Sequence, residues 1–162
     1  MRFDGTCERF VEVDEKPLAT WISSIDFIAW PQQNKLSDCK MRPAMINDVS
    51  WHGFGSMVGD LTSSLMTELR RTHPSIAASF NPLLSVVMPG HSIEPHRDFQ
   101  QPDWFCRVHV PLLTNDGALM RIDGETHHLE TGFAYLINTF SEHSVENRGE
   151  VPRVHYMFDV RV

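Results

Sequence analysis

The stretch ALMRIDGETHHLETGFAYLI, Ala118 to Ile137, holds three short apolar runs separated by turn residues. Ala118 to Ile122, Thr126 to Leu129 and Phe133 to Ile137 each read as a strand: they are short and carry residues that fit a pleated surface. Asp123-Gly124-Glu125 marks a hairpin, because a tight hairpin turn needs backbone at positive φ. The pattern extends in both directions. Leu83 to Met88 reads as a buried strand stopped by Pro89-Gly90, Phe105 to Leu113 as another, then Asn115-Asp116-Gly117 as a turn, and Arg153 to Val160 as the last strand. Short strands at this spacing predict a mainly β, antiparallel sandwich or barrel. The expected form is a double-sheet jelly roll with flanking N-terminal helices.

Upstream of residue 83 the period changes. Leu18, Trp21, Ile22 and Ile25 recur at helical spacing, with Pro17 in the first turn. Val58, Leu61, Leu65 and Leu69 form a second apolar stripe that ends at Arg70-Arg71, where cations suit a helix C-terminus. Residues 31–56, with Pro31, Pro43, Gly53 and Gly55, read as loops or short irregular strands.

The 162 residues suffice for one domain with a real core and are too few for two ordinary ones. A single domain over 1–162 is expected, with a helical and irregular front (1–82) and a jelly-roll core (83–162). A net charge of −7 argues against nucleic acid as a partner, since a basic footprint supplies most of that affinity. A small anion held by a few placed arginines is compatible with it. The three cysteines, Cys7, Cys39 and Cys106, are odd in number and form no C-x-x-C, which points to a reduced, cytoplasmic setting. No apolar run is long enough for a membrane span, and Met1-Arg2-Phe3-Asp4-Gly5 has no secretory h-region. The oligomeric state is not legible.

Pro95-His96-Arg97-Asp98-Phe99, Glu142-His143-Ser144 and Arg153 carry the chemistry. His96 and Asp98, two apart on a strand, project from one face, and His143 returns 47 positions later. Two imidazoles and one carboxylate form a facial triad of the kind that holds non-haem Fe(II) and leaves positions open. H-x-D alone is a weak signal among nine histidines and 21 acidic residues. Arg153, ten residues after His143, strengthens it: a guanidinium fork suits the far carboxylate of a keto acid. Arg107 and His109 share one face of a strand, as do Arg153 and His155. They line either a dicarboxylate pocket or a solvated face, while Val108, Val110, Val154 and Tyr156 alternate with them as packing residues.

Four stretches carry a family resemblance: Ser85 to His96, Cys106 to Leu112, Asn138 to Asn147 and Arg153 to Asp159. Together they resemble the aspartyl/asparaginyl β-hydroxylase family, which is similar in turn to bacterial free-proline hydroxylases. The resemblance implies a double-stranded β-helix, Fe(II), and 2-oxoglutarate and O2 as co-substrates. It implies metal ligation by His96 and His143, and places Ser85, Arg107, His109 and Arg153 around 2-oxoglutarate. The vertebrate members carry a small residue in place of the carboxylate ligand. This chain has Asp98, as the free-proline hydroxylases do, which favours a complete triad.

The expected activity is hydroxylation of a C–H of an amino acid or peptidyl residue, with CO2 and succinate as co-products. The expected partner is therefore a small molecule or a peptide. Trp51, Asn138 and His155 are the candidate substrate residues. A non-catalytic metal-binding cupin that senses a small acid is the competing reading. Succinate production separates the two.

Overall fold

The computed structural model describes residues 2–25, 39–43, 54–98 and 102–162. In chain order the elements are β1 (Cys7–Glu12), α1 (Lys16–Ile22), β2 (Cys39–Pro43), α2 (Phe54–Thr72), β3 (Ala78–Val87), β4 (Ser92–His96), β5 (Trp104–Leu113), β6 (Ala118–Ile122), β7 (Glu125–His128), β8 (Phe133–Ile137), β9 (His143–Asn147) and β10 (Arg153–Arg161). The strands form two antiparallel sheets. The larger runs β1-β8-β5-β10-β3-β2 and the smaller runs β4-β9-β6-β7. With β3 to β10 numbered one to eight, the sheets read 1-8-3-6 and 2-7-4-5. Successive strands from one to four alternate between sheets, and first pairs with last, second with seventh. That nesting is the double-stranded β-helix, or jelly roll.

Local chemistry explains the elements. Asp123 and Gly124 take φ of 51° and 86°, and the two residues connect β6 directly to β7. Positive φ at both centres matches the right-handed twist of the strands they join. In α2, Val58, Leu65 and Leu69 are buried on one face, with Leu61 packed beside them. Pro17 stands in the first turn of α1, where its missing N–H costs nothing. Among the described residues no helix is long and apolar enough to cross a membrane.

The alternation of each strand sorts the larger sheet into two faces. On one, Val108, Val110, Val154, Tyr156 and Phe158 are buried with Leu18 and Ile22 of α1 and Val58, Leu65 and Leu69 of α2. This is the main core, between sheet and helices. On the other, Val87, Tyr135 and Ile137 meet Met120, Ile122 and Val145 of the smaller sheet. The polar candidates also face this second, inter-sheet space.

The front of the chain carries the two expected helices, and β2 falls in the stretch expected as loops or short irregular strands; β1 is the element not expected there. Residues before 83 supply both edge strands of the larger sheet: β1 pairs with β8, and β2 with β3. Strand β3 also starts earlier, at Ala78. Strand β4 ends at His96, so Asp98 lies beyond the strand instead of two places along it.

Candidate metal centre and co-substrate pocket

His96 closes β4 and His143 opens β9, and the two are direct partners in the antiparallel register. Their rings lie 4.3 Å apart between centroids. His96 Nδ1 is 2.7 Å from the Glu94 carbonyl, and His143 Nδ1 is 3.0 Å from that of Ser141. A carbonyl only accepts, so each imidazole carries its proton on Nδ1 and leaves the Nε2 lone pair bare. Burial, ahead of all other influences, pushes the His143 pKa below its ordinary value and favours the neutral, ligating form. Asp98 reaches the same place from the segment after β4, anchored by its backbone N–H to the Thr139 carbonyl (3.1 Å). One Asp98 oxygen, Oδ1, is 3.8 Å from His96 Nε2. One ligand atom from each of His96, Asp98 and His143 lies within 4.8 Å of the other two. Two bare imidazole nitrogens and a carboxylate facing one point are a donor set that fits Fe(II).

Arg107, on β5, stands behind Asp98. Its Nη1 is 2.6 Å from Asp98 Oδ2. Its Nε and Nη2 donate to the two oxygens of Asp159 on β10, at 2.6 and 3.1 Å. Asp159 is fully buried and directly opposite Arg107 in register. A bulge in β3 places Asn81 at φ 52°, and its amide donates to Asp159 Oδ2 (2.9 Å). Burial alone pushes the Arg107 pKa down. The hydrogen bonds and charge of Asp159, then the charge of Asp98, outweigh it and hold the guanidinium protonated. Asp159 was not among the candidate residues read from the sequence. Its signal was parity: it shares the inward face of β10 with Arg153 and His155, where a buried carboxylate needs a cation.

The remaining candidates gather deeper between the sheets. Ser85 and His155 are cross-strand partners on β3 and β10. Arg153 Nη2 donates to His155 Nδ1 at 2.9 Å. A guanidinium cannot accept, so this nitrogen is the acceptor and the His155 proton sits on Nε2. His109 Nδ1 lies 3.3 Å from the same nitrogen, so it carries the His109 proton. Two ring nitrogens result: an acceptor at His109 Nε2 and a donor at His155 Nε2. Both are buried and lack a hydrogen-bond partner among the described residues. Buried polar atoms are nearly always paired, so two beside an arginine mark a place for a polar ligand. Burial first, and Arg153 second, push both histidine pKa values well below ordinary, so both rings are neutral. His109 stands two residues from Arg107 on the same face of β5, and Arg107 touches Asp98, which puts this cluster beside the metal ligands.

The structure thus brings together His96, Asp98, His143 and Arg107, and next to them Ser85, His109, Arg153 and His155. Asn138 is partly buried, and its Oδ1 accepts from the Phe140 N–H (3.2 Å), shaping the turn that leads to His143. Trp51 lies outside the described residues.

The family described as Aspartyl/Asparaginyl beta-hydroxylase matches residues 61–162, more than half of the chain. The chain belongs to this family. The hydroxylase match takes in β3 to β10, and so every strand of the jelly roll and every described candidate residue. The chain is similar to the L-proline cis-4-hydroxylase of Rhizobium meliloti, with 28% identity over 111 residues. That match covers 67% of this chain and spans 40% of the relative's length. Among solved structures it resembles AviO1 from Streptomyces viridochromogenes, at TM-score 0.73 and 9% identity, over 97% of this chain and 90% of that one. It also resembles the viral collagen prolyl hydroxylase of Paramecium Bursaria Chlorella virus-1 bound to 2OG, at TM-score 0.70 and 10% identity, over 98% and 97%. At such identities these two likenesses establish the shared fold.

Proposed function

We propose that this chain is an Fe(II)- and 2-oxoglutarate-dependent dioxygenase that hydroxylates a C–H of an amino acid, free or in a peptide. The observation that carries the reading is the pair of bare Nε2 atoms on His96 and His143 facing the Asp98 carboxylate. His96, Asp98 and His143 would hold the iron. Bound Fe(II), with 2-oxoglutarate and O2, supplies the oxidising power for C–H hydroxylation and yields CO2 and succinate as co-products.

The protein's residues do the rest. Arg153, with Ser85 beside it, binds the distal carboxylate of 2-oxoglutarate through its fork. The His155 Nε2–H offers a further donor to an anionic oxygen, and His109 lies between this cluster and the metal ligands. Arg107 reaches the same space through Asp98. Met120, Ile122, Val145 and Ile137 line the inter-sheet space with apolar surface that excludes water. Residues 1–162 act as one domain, with the front supplying edge strands and helical backing. Asn138, His155 and Trp51 are the residues assigned to the prime substrate.

The name of the R. meliloti relative makes proline the first substrate to test, free and peptidyl. The net charge of −7 disfavours a polyanion such as nucleic acid, since long-range repulsion opposes its approach. The test is purified protein with Fe(II), 2-oxoglutarate and ascorbate, screened against amino acids and peptides. Substrate-stimulated succinate release with a product heavier by one oxygen is expected. Metal binding without succinate release from any of them would instead favour a non-catalytic small-acid sensor.

A further inference from the structure

Asp98 has two oxygens, and the structure gives them different surroundings. Oδ1 looks toward His96 Nε2, at 3.8 Å. Oδ2 is buried, accepts no well-aligned hydrogen bond, and has Arg107 Nη1 at 2.6 Å. The other two nitrogens of that guanidinium are locked on Asp159, and Asn81 braces Asp159 from β3. We infer that Arg107 is a positioning residue for the metal-binding carboxylate: Asp159 fixes Arg107, and Arg107 fixes Asp98 so that Oδ1 is presented to the iron. This inference rests on the metal centre proposed above and assigns Arg107 a task other than holding 2-oxoglutarate.

Charge explains why three groups are needed. Asp98 leaves its strand before it reaches the site, so β4 pairing does not aim its side chain. A cation behind Oδ2 supplies that aim. Alone, however, Arg107 would cancel the Asp98 charge and weaken its attraction for a divalent cation. With Asp159 the three groups sum to one negative charge, so Asp98 is oriented without being neutralised. Asp159 is fully buried, and its charge is tolerable at that depth because Arg107 is bidentate to it. Outer partners of this kind orient a ligand and tune the metal.

The test uses the full chain without 2-oxoglutarate and reads Co(II) binding by its visible absorption and by titration. Asp159→Asn keeps the volume and removes the charge, and should weaken Co(II) binding about ten- to a hundredfold, the usual loss for such partners. Arg107→Lys keeps a charge but cannot reach both carboxylates. It should also weaken binding, and should alter the Co(II) spectrum because Asp98 Oδ2 is freed. At saturating metal, neither variant should raise the 2-oxoglutarate requirement. Wild-type Co(II) affinity and spectrum in Arg107→Lys, with a raised 2-oxoglutarate requirement, would overturn the inference and make Arg107 a keto-acid ligand. If Asp159→Asn fails to fold, as judged by circular dichroism, Arg107→Lys alone decides on the same criteria. His143→Ala separates the two levels. If it loses Co(II) while Asp159→Asn and Arg107→Lys bind as wild type, only the positioning role fails. If it binds Co(II) as wild type does, the metal centre itself fails, and the positioning role with it.

Discussion

The two faces of the larger sheet are built from the same strands and do opposite work. On β10, Val154, Tyr156 and Phe158 point to the helices and Arg153, His155 and Asp159 point between the sheets, yet all six are buried. The helix side is apolar, and across it Thr62 Oγ1 of α2 meets the Tyr156 hydroxyl of β10 (2.6 Å). The inner side holds two carboxylates, two arginines and four histidines, and two of its imidazole nitrogens lack hydrogen-bond partners among the described residues. Burying such groups lowers stability unless each is compensated. The helix side therefore provides the stability that the inner side spends on binding. Substitutions on one face should change stability with little effect on ligands, and on the other the reverse.

The sharpest way to break this division is His143→Ala, which should abolish iron-dependent turnover while the thermal unfolding transition stays near that of the wild type. Turnover at the wild-type rate in the freshly iron-loaded variant would remove the metal-centre reading. Arg153→Ala should cost about 2–5 kcal/mol in 2-oxoglutarate binding, the range for truncating one partner of a buried charged pair. Arg153→Lys should recover only part of it, because an ammonium cannot present the fork. An unchanged 2-oxoglutarate dependence would contradict the assignment.

On the helix side, Leu69→Ala removes a fully buried side chain and should destabilise the fold by about 2–5 kcal/mol in chemical denaturation. Its 2-oxoglutarate requirement should match the wild type. A large shift in that requirement would show that the faces are coupled. Acid should act from the inner side. His109 and His155 are held neutral when folded, with pKa values below those of the unfolded chain. The unfolded state therefore binds more protons as pH falls. Stability is intact above about pH 6.5 and is lost below it, by up to about 1.4 kcal/mol per pH unit for each such histidine. Replacing either histidine with glutamine should flatten this decline in melting temperature against pH. The smallest effect is expected for Tyr156→Phe, which removes the hydroxyl contact to Thr62 and should cost about 0.5–1.5 kcal/mol of stability, with catalysis unchanged.

Elements with a clear apolar period were legible from the chain alone. Ala118 to Ile122 and Phe133 to Ile137 were read with their observed bounds, and the α2 stripe at Val58, Leu61, Leu65 and Leu69 packs as expected. Parity along β5 and β10 also separated packing residues from polar ones. The two strands that carry the metal-ligand histidines were harder. Strand β4 runs from half-buried to exposed along its length, and Ser92-Ile93-Glu94-Pro95-His96 has no apolar alternation to read. The edge strands β1 and β2 draw their identity from the neighbours they pair with.

What the sequence determined by itself was the set of strands and which residues share a face of each, because side-chain direction follows from local backbone geometry. What only the tertiary structure decided was which polar groups meet across strands. The Asp159–Arg107–Asp98 chain joins β10, β5 and the segment after β4, and His96 meets His143 through the register of β4 on β9. Register and sheet packing are set by the whole core, so no local period encodes them.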